Sequence, residues 1–365
     1  MPVDKRQFLT LACSGLGLAA CIEEPTSAMP AIPASSAPPA ARAASSPWLP
    51  LQVGDIIDVI APSSPPADPA ATIAAIQAYF ARTDLKVRIP DGLIAPTQPL
   101  QAANTAERRV AFIEQALHSD SKAVWAIQGG GWGSELMPLL QRMRQPARPK
   151  PVIGFSDVTA LHIFFNHVWG WPTLHGIELG ANGDIGAGWN HDHIDEMLSV
   201  LRGHRPTLSY PLTALNDPAA RPAVLDKLRV VGGNSLLLSA LKGSVDFTTD
   251  TAGAILFIES IANGPGEVSR LLDGFLYSTL VRQAGAVMFG DFIHVGGLPN
   301  PPQEQQKFDY IQRRFGAALA STGTPVLRAE NLFGHGPVNR PLPLNTSARL
   351  TLGERPLLAV QAGNA

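Results

Sequence analysis

The sequence predicts an α/β protein in two parts: a first half built on a parallel sheet and a second half richer in strands. Three observations carry that prediction. After Trp48 short apolar runs alternate with helical stretches, the runs end in glycine or proline turns, and beyond Arg202 the helical pattern thins out. With 365 residues, 45% hydrophobic and 16% charged, the chain can bury a sizeable core and is long enough for two domains. A formal net charge of -2 supplies no basic field, which argues against nucleic acid as a partner. Both cysteines, Cys13 and Cys21, precede the body, so the body has neither a disulfide nor a thiolate metal site.

The elements follow in order. Residues 1–21 read as an export signal: basic Lys5-Arg6, an apolar run from Phe8 to Ala20, then Leu18-Ala19-Ala20-Cys21. The run is too short to cross a bilayer, which takes roughly 20 residues. Leu-Ala-Ala-Cys resembles a bacterial lipobox, implying lipidation at Cys21, and Lys5-Arg6-Gln7-Phe8-Leu9 resembles a relaxed twin-arginine signal with lysine at the first arginine position. The other reading is cleavage further along, with Cys21 merely packed in the signal. Residues 22–47 are rich in Ala, Pro and Ser and form a tether. A lipid at Cys21 would then hold the body at a membrane without inserting it.

The body opens with a strand over Asp55 to Ala61, ending at the turn Pro62-Ser63-Ser64-Pro65. Helices follow over Ala70 to Arg82 and Ala106 to His118, the latter with Val110, Ile113 and Leu117 at helical spacing. The strand Ala123 to Ile127 runs into glycines. Val152 and Ile153 end another strand, and a helix follows whose apolar face carries Val158, Leu161, Phe164, Phe165 and Val168. This succession predicts an open parallel sheet of the Rossmann or flavodoxin-like kind over residues 48–214. Pro-rich segments from Arg205 to Pro222 and apolar runs at Ala254 to Ile258 and Ala286 to Phe289 predict a strand-rich α/β domain over residues 215–365. Gly363 to Ala365 are expected to fray.

Two loops carry chemistry. Ser156 sits on the turn between a strand and a helix, where its hydroxyl is presented to solvent beside the unpaired N–H groups of a helix start. Acyl transfer needs both, although a serine here is also the usual N-cap. The second glycine of Gly-x-Ser-x-Gly is absent, since Val158 stands there. The run Gln128-Gly129-Gly130-Gly131-Trp132-Gly133-Ser134 fits no phosphate-binding pattern. Its backbone could approach a ligand, so Gly130 or Gly131 N–H would join Asp157 N–H in an oxyanion hole. A plain tight turn is the alternative.

In this order, Gly-Gly-Trp-Gly-Ser, then Ile153-Gly154-Phe155-Ser156-Asp157-Val158-Thr159-Ala160-Leu161, then Thr173-Leu174-His175-Gly176 resemble the LD-carboxypeptidase family, including its microcin-immunity branch. The resemblance also takes in Gly54-Asp55-Ile56-Ile57, Gly232-Gly233-Asn234, Leu256-Phe257-Ile258-Glu259 ahead of Arg270-Leu271-Leu272, Phe289-Gly290-Asp291-Phe292 and Phe333-Gly334-His335. It implies a serine peptidase with Ser156 as nucleophile, Glu259 as orienting carboxylate and His335 as general base. The nucleophile then lies on the first domain and its partners on the second, with the site in the cleft between them. Where the family commonly carries Arg-Gly-Gly before an aromatic residue, this chain has Gln128 or Gly129.

The resemblance also marks Trp132, Asn234 and Arg270 as substrate-binding candidates, Arg270 with a structural pairing as its other role. Asn190-His191-Asp192-His193-Ile194-Asp195 holds ligand-type residues, but histidines two apart on a helix start point apart, so no metal is expected. His162 and His167 read as packing or surface residues. No cofactor is expected. The implied reaction is release of C-terminal D-alanine from a murein tetrapeptide by an exported, lipid-anchored, periplasmic enzyme, with a homodimer compatible with the sequence. Its rivals are cleavage of a peptide-nucleotide antibiotic, with Trp132 or Trp171 against the base, and a lipid-tethered murein-binding protein without activity.

Overall fold

A computed structural model of the chain describes residues 48–96, 100–180, 185, 191–244, 246–247, 249–294 and 299–362. The expected signal with Cys21, the tether to residue 47 and the terminal residues 363–365 lie outside the described residues. In chain order the strands are β1 (Ile56–Ile60), β2 (Lys86–Arg88), β3 (Ala123–Ala126), β4 (Val152–Gly154), β5 (Thr173–His175), β6 (Thr207–Pro211) and β7 (Thr213–Ala214). They continue with β8 (Ala223–Asn234), β9 (Ala254–Ile261), β10 (Ala286–Ile293), β11 (Val326–Arg328), β12 (Leu342–Leu344), β13 (Ala348–Leu352) and β14 (Leu357–Gln361).

Two sheets result, as the apolar patterning predicts. The first is six-stranded in the order β12-β5-β4-β3-β1-β2, parallel from β5 to β2. The second is eight-stranded in the order β6-β14-β13-β8-β9-β10-β11-β7, with β8 to β11 parallel and antiparallel strands at both flanks. All of β3 and β10 is buried, and so is β9 up to Ser260. Strands covered on both faces need continuous apolar runs, which is how these segments read.

Two helices of the first half start at side-chain caps. Asp68 accepts from Ala71 N–H at 3.0 Å and Thr105 from Arg108 N–H at 3.3 Å, each satisfying an orphan donor of the first turn. The second of these helices spans Ala106–His118 and buries Val110, Ile113 and Leu117. The helix after Ser156 departs from its expected face. Val158, Leu161, Phe164 and Phe165 are buried, but from Phe164 to Trp169 the helix widens to π geometry, and the slower rotation leaves Val168 37% exposed.

The division between the halves is also less simple than a cut at residue 215. Strands β6 and β7, which precede that position, pair within the second sheet, and β12 returns to pair antiparallel with β5 in the first. Sheet membership follows hydrogen-bond pairing rather than chain order. The crossing is held by Asn345, whose N–H donates to Val230 O at 2.8 Å and whose amide donates to Gly170 O at 3.1 Å and Trp171 O at 3.2 Å.

Candidate active site

The carboxyl end of β4 meets the second sheet at the end of β8, where an open α/β sheet offers its crevice. Ser156 follows β4 directly and adopts φ +57°, a left-handed conformation costly for a residue with a side chain. Gly154, at φ +158°, makes room for the turn, because a Cβ there would meet both Val158 methyl groups at 2.9 Å. A serine in left-handed backbone at a strand-turn-helix is the arrangement of a nucleophile elbow.

From the second sheet come Glu259 and His335. Glu259 was expected at the end of its strand; it lies inside β9, fully buried, because β9 continues to Ile261. His335 Nδ1 donates to Glu259 Oε2 at 2.8 Å. Among the described residues that is the one hydrogen bond satisfying the carboxylate, whose Oε1 has no partner. With Nδ1 so engaged, Nε2 is the nitrogen left for a proton. The imidazole packs against Phe155, ring centroids 4.7 Å apart, so the residue before Ser156 touches the histidine.

Packing fixes this placement. The ladder between β9 and β10 slips by one residue between Phe289 and Phe292, a bulge that re-aims the chain beside Glu259. There Asp291 N–H donates to Phe333 O at 2.8 Å and Asp291 Oδ1 accepts from Asn331 N–H at 3.1 Å, docking the loop that carries His335. Burial pushes the Asp291 carboxyl up to about 7. Across the sheets, Asn234 is paired with Glu259 in the β8–β9 ladder, and its N–H donates at 2.9 Å to Thr159 Oγ1, three residues past Ser156. One short chain of contacts thus ties the serine turn to the carboxylate.

The glycine loop lies against the serine turn. Gly133 N–H and Ser63 Oγ both bond Asp157 Oδ2, at 2.7 and 2.6 Å. Burial raises the Asp157 carboxyl above its ordinary range, with those two hydrogen bonds pulling the other way. Asp157 N–H, at the second position of its helical turn, makes no hydrogen bond among the described residues. Gly131 does not serve as expected: its N–H donates to Ser64 Oγ at 3.2 Å, and Gly129 N–H goes to Glu178. Gly130, exposed at φ +111°, makes no hydrogen bond through its N–H among the described residues. The loop therefore offers Gly130 alone of the two glycines expected to contribute.

Of the expected substrate residues, Trp132 is 39% exposed and borders an open groove of about 550 Å³ with Ser64, Pro65 and Gln101. Asn234 is buried and its side chain caps the helix Ser235–Leu241, so it braces the site from behind. Arg270 is exposed on the helix Pro265–Leu276, and among the described residues no hydrogen bond or ion pair joins it to the cluster around His335. His162 is fully buried with Nε2 at 2.9 Å from Gly154 O, and burial lowers it to about 4. His175, against Phe155 and Phe257, is likewise held well below its usual value by burial. Among the described residues no group of three or more His, Cys, Asp or Glu could hold a metal ion, and no helix is long and apolar enough to cross a membrane. The side chains of residues 190–192 in the histidine-aspartate stretch lie outside the described residues.

Two further residues support the site. Arg109, 1% exposed, donates to Pro62 O at 2.6 Å, Asn104 O at 3.0 Å and Trp132 O at 3.2 Å, and pairs with Glu135. It puts a guanidinium against the glycine loop from a helix, where Gln128 and Gly129 supply none. Gln128 itself donates to Pro65 O at 3.2 Å. Glu178, just beyond β5, is buried beneath the loop and pushed up to about 8 by desolvation. A charged residue breaking an otherwise buried helical stripe was the available signal for Arg109; Glu178 gave none beyond an acid three residues past a short strand.

Comparison with known proteins agrees with this architecture. Residues 57–176 match the family model described as LD-carboxypeptidase N-terminal domain, and residues 228–350 match LD-carboxypeptidase C-terminal domain. The murein tetrapeptide carboxypeptidase of Pseudomonas aeruginosa is 29% identical over 253 residues, covering 68% of this chain and 78% of that one. Among solved structures, a muramoyltetrapeptide carboxypeptidase from Oxalobacter formigenes superposes with TM-score 0.63 at 21% identity, over 84% of this chain and 98% of the other. The microcin immunity protein MccF in complex with glutamyl sulfamoyl guanosine gives TM-score 0.66 at 18% identity, over 87% and 98%. At those identities the structural likeness concerns the fold.

Proposed function

The chain belongs to the LD-carboxypeptidase family of peptidases, and from that premise we propose that it is a serine peptidase releasing C-terminal D-alanine from murein tetrapeptides. The observation that carries the reading is the hydrogen bond between His335 and the buried Glu259, beside a serine held at φ +57°. Ser156 Oγ attacks the carbonyl of the scissile bond as His335 Nε2 takes its proton. The oxyanion is met by Asp157 and Gly130 N–H, and the imidazolium by Glu259. His335 then returns the proton to the leaving amine, and water repeats the sequence to hydrolyse the ester. Trp132, at the edge of the groove, is the substrate-facing aromatic.

Export through residues 1–21 with lipidation at Cys21 belongs to the same proposal, since it would bring the enzyme to murein outside the cytoplasmic membrane. A peptide-nucleotide substrate of the kind named for the MccF complex is the second reading, favoured by the exposed Trp132 and disfavoured by the export signal. The test is incubation of the protein with tetrapeptide in the presence of a chelator. Release of D-alanine is expected; no release from tetrapeptide or intact sacculi refutes the reading, and hydrolysis of a separately supplied glutamyl sulfamoyl nucleoside to glutamate and the sulfamoyl nucleoside, with no D-alanine from tetrapeptide, selects the second.

A further inference from the structure

A buried carboxyl group lies beneath the site and has no part in the hydrolysis just described. Glu178 is 3% exposed; its Oε2 accepts Gly129 N–H at 2.7 Å and its Oε1 faces Phe155 N–H at 3.4 Å. One donor belongs to the glycine loop and the other to the residue preceding Ser156. The fit is tight, since a Cβ on Gly129 would stand 3.0 Å from both Glu178 Oε1 and Ser156 Cβ. Glu178 therefore occupies the junction at which loop and serine turn meet.

We propose that Glu178 is a positioning residue that holds the glycine loop against the serine turn and so sets the spacing of Gly130 N–H and Asp157 N–H around the oxyanion. The inference rests on Ser156 being the nucleophile. By binding Gly129 N–H, Glu178 fixes the direction of that peptide and leaves the next N–H, that of Gly130, for the substrate. A hole donor must be held in place before charge develops, because a loop that reorients during reaction gives back part of the stabilisation.

The protonation state of Glu178 follows from the same geometry. Burial raises it to about 8, and the charged groups that oppose its ionisation are Asp157 from the serine turn and Glu259 from β9. At neutral pH it is mainly uncharged. On ionisation it places a further carboxylate beneath the position where the oxyanion forms, and two negative charges in a site screened from water repel. Catalytic competence should thus fall as pH rises through the Glu178 transition.

A peptide-independent assay isolates this effect. A fluorophosphonate forms a Ser156 Oγ–P bond with loss of fluoride, the serine proton passing to His335, and it needs the same oxyanion donors. The rate of labelling, with the site mapped by mass spectrometry, is followed from about pH 6 to about pH 9.5 for the wild type, Glu178→Gln and Glu178→Ala. Glu178→Gln, which keeps the shape of the neutral carboxyl and one acceptor, should label within about threefold of wild type at neutral pH and lack the wild-type fall above about pH 8. Glu178→Ala should label at least about tenfold more slowly. Equal labelling by Glu178→Ala, or an unchanged alkaline fall in Glu178→Gln, overturns the inference. If Glu178→Ala does not fold by circular dichroism, the pH profile of Glu178→Gln decides alone. A wild type that forms no Ser156 adduct overturns the nucleophile assignment as well.

Discussion

Replacing Glu259 by glutamine removes the charge behind His335 while keeping its shape. The carboxylate oxygen lies 2.8 Å from the imidazole nitrogen. At that separation a full charge pair attracts by about 6 kcal/mol at an effective dielectric of 20. In the mechanism proposed above His335 takes the serine proton on the way to the transition state, so the loss of this attraction falls on kcat. A glutamine oxygen retains the hydrogen bond and part of the attraction through its dipole. The expected loss is about 4 kcal/mol, or roughly a thousandfold in kcat, with KM changed by less than about threefold. Stability should move the other way or not at all, because Glu259 is fully buried with one oxygen unpartnered, and an amide costs less to bury than a carboxylate. Steady-state kinetics on tetrapeptide with a thermal melt reads both quantities. A Glu259→Gln enzyme within tenfold of wild-type kcat would refute the reasoning, as would a loss of activity that merely tracks a lowered melting temperature.

Other outcomes follow from the same geometry. Ser156→Gly should abolish turnover yet stabilise the fold by roughly 1 kcal/mol, since glycine relieves the left-handed backbone at φ +57°; urea unfolding measures it. Gly129→Ala should lower kcat at least about a hundredfold, because the new methyl group meets Ser156 Cβ and Glu178 Oε1 at 3.0 Å; normal kinetics in a folded variant would contradict it. Arg109→Leu should cost about 3–5 kcal/mol of stability by orphaning the carbonyls of Pro62, Asn104 and Trp132, checked by denaturant unfolding. Glu178 binds a proton more tightly in the fold than in the unfolded chain, so between the ordinary glutamate value and about 8 it lowers stability as pH rises. Glu178→Gln should therefore gain on the wild type across that window, by at most about 1.4 kcal/mol per pH unit; equal pH dependence of the two proteins would contradict it.

The parts of the molecule legible in the sequence are those that local pattern determines. Helix Ala106–His118 is delimited by its own cap and apolar stripe, and β3, β9 and β10 by apolar runs that only a doubly covered sheet requires. Ser156 announced itself through a strand-turn-helix of a dozen residues. Glu259 and His335 were visible only through family resemblance, since nothing local distinguishes a buried strand acid from one at a strand end. What escaped is tertiary. The return of β12 to the first sheet, the Asn234 N–H bond to Thr159 and the guanidinium of Arg109 against Trp132 O join residues distant in the chain. The occupation of Gly131 N–H by Ser64 depends on a side chain 67 positions away, so which glycine donates could not be read from the run of glycines.

The assignment of Ser156 is tested most directly by catching the covalent intermediate on it. A depsipeptide analogue of the tetrapeptide, ending in D-lactate, has a better leaving group than the amide, so acylation outruns hydrolysis of the acyl-enzyme. Acid quench during turnover, followed by peptide mapping, should find the acyl group esterified to Ser156 in the wild type and nowhere in Ser156→Ala. D-lactate release with the acyl group on another residue, or unchanged turnover by Ser156→Ala, would contradict the account.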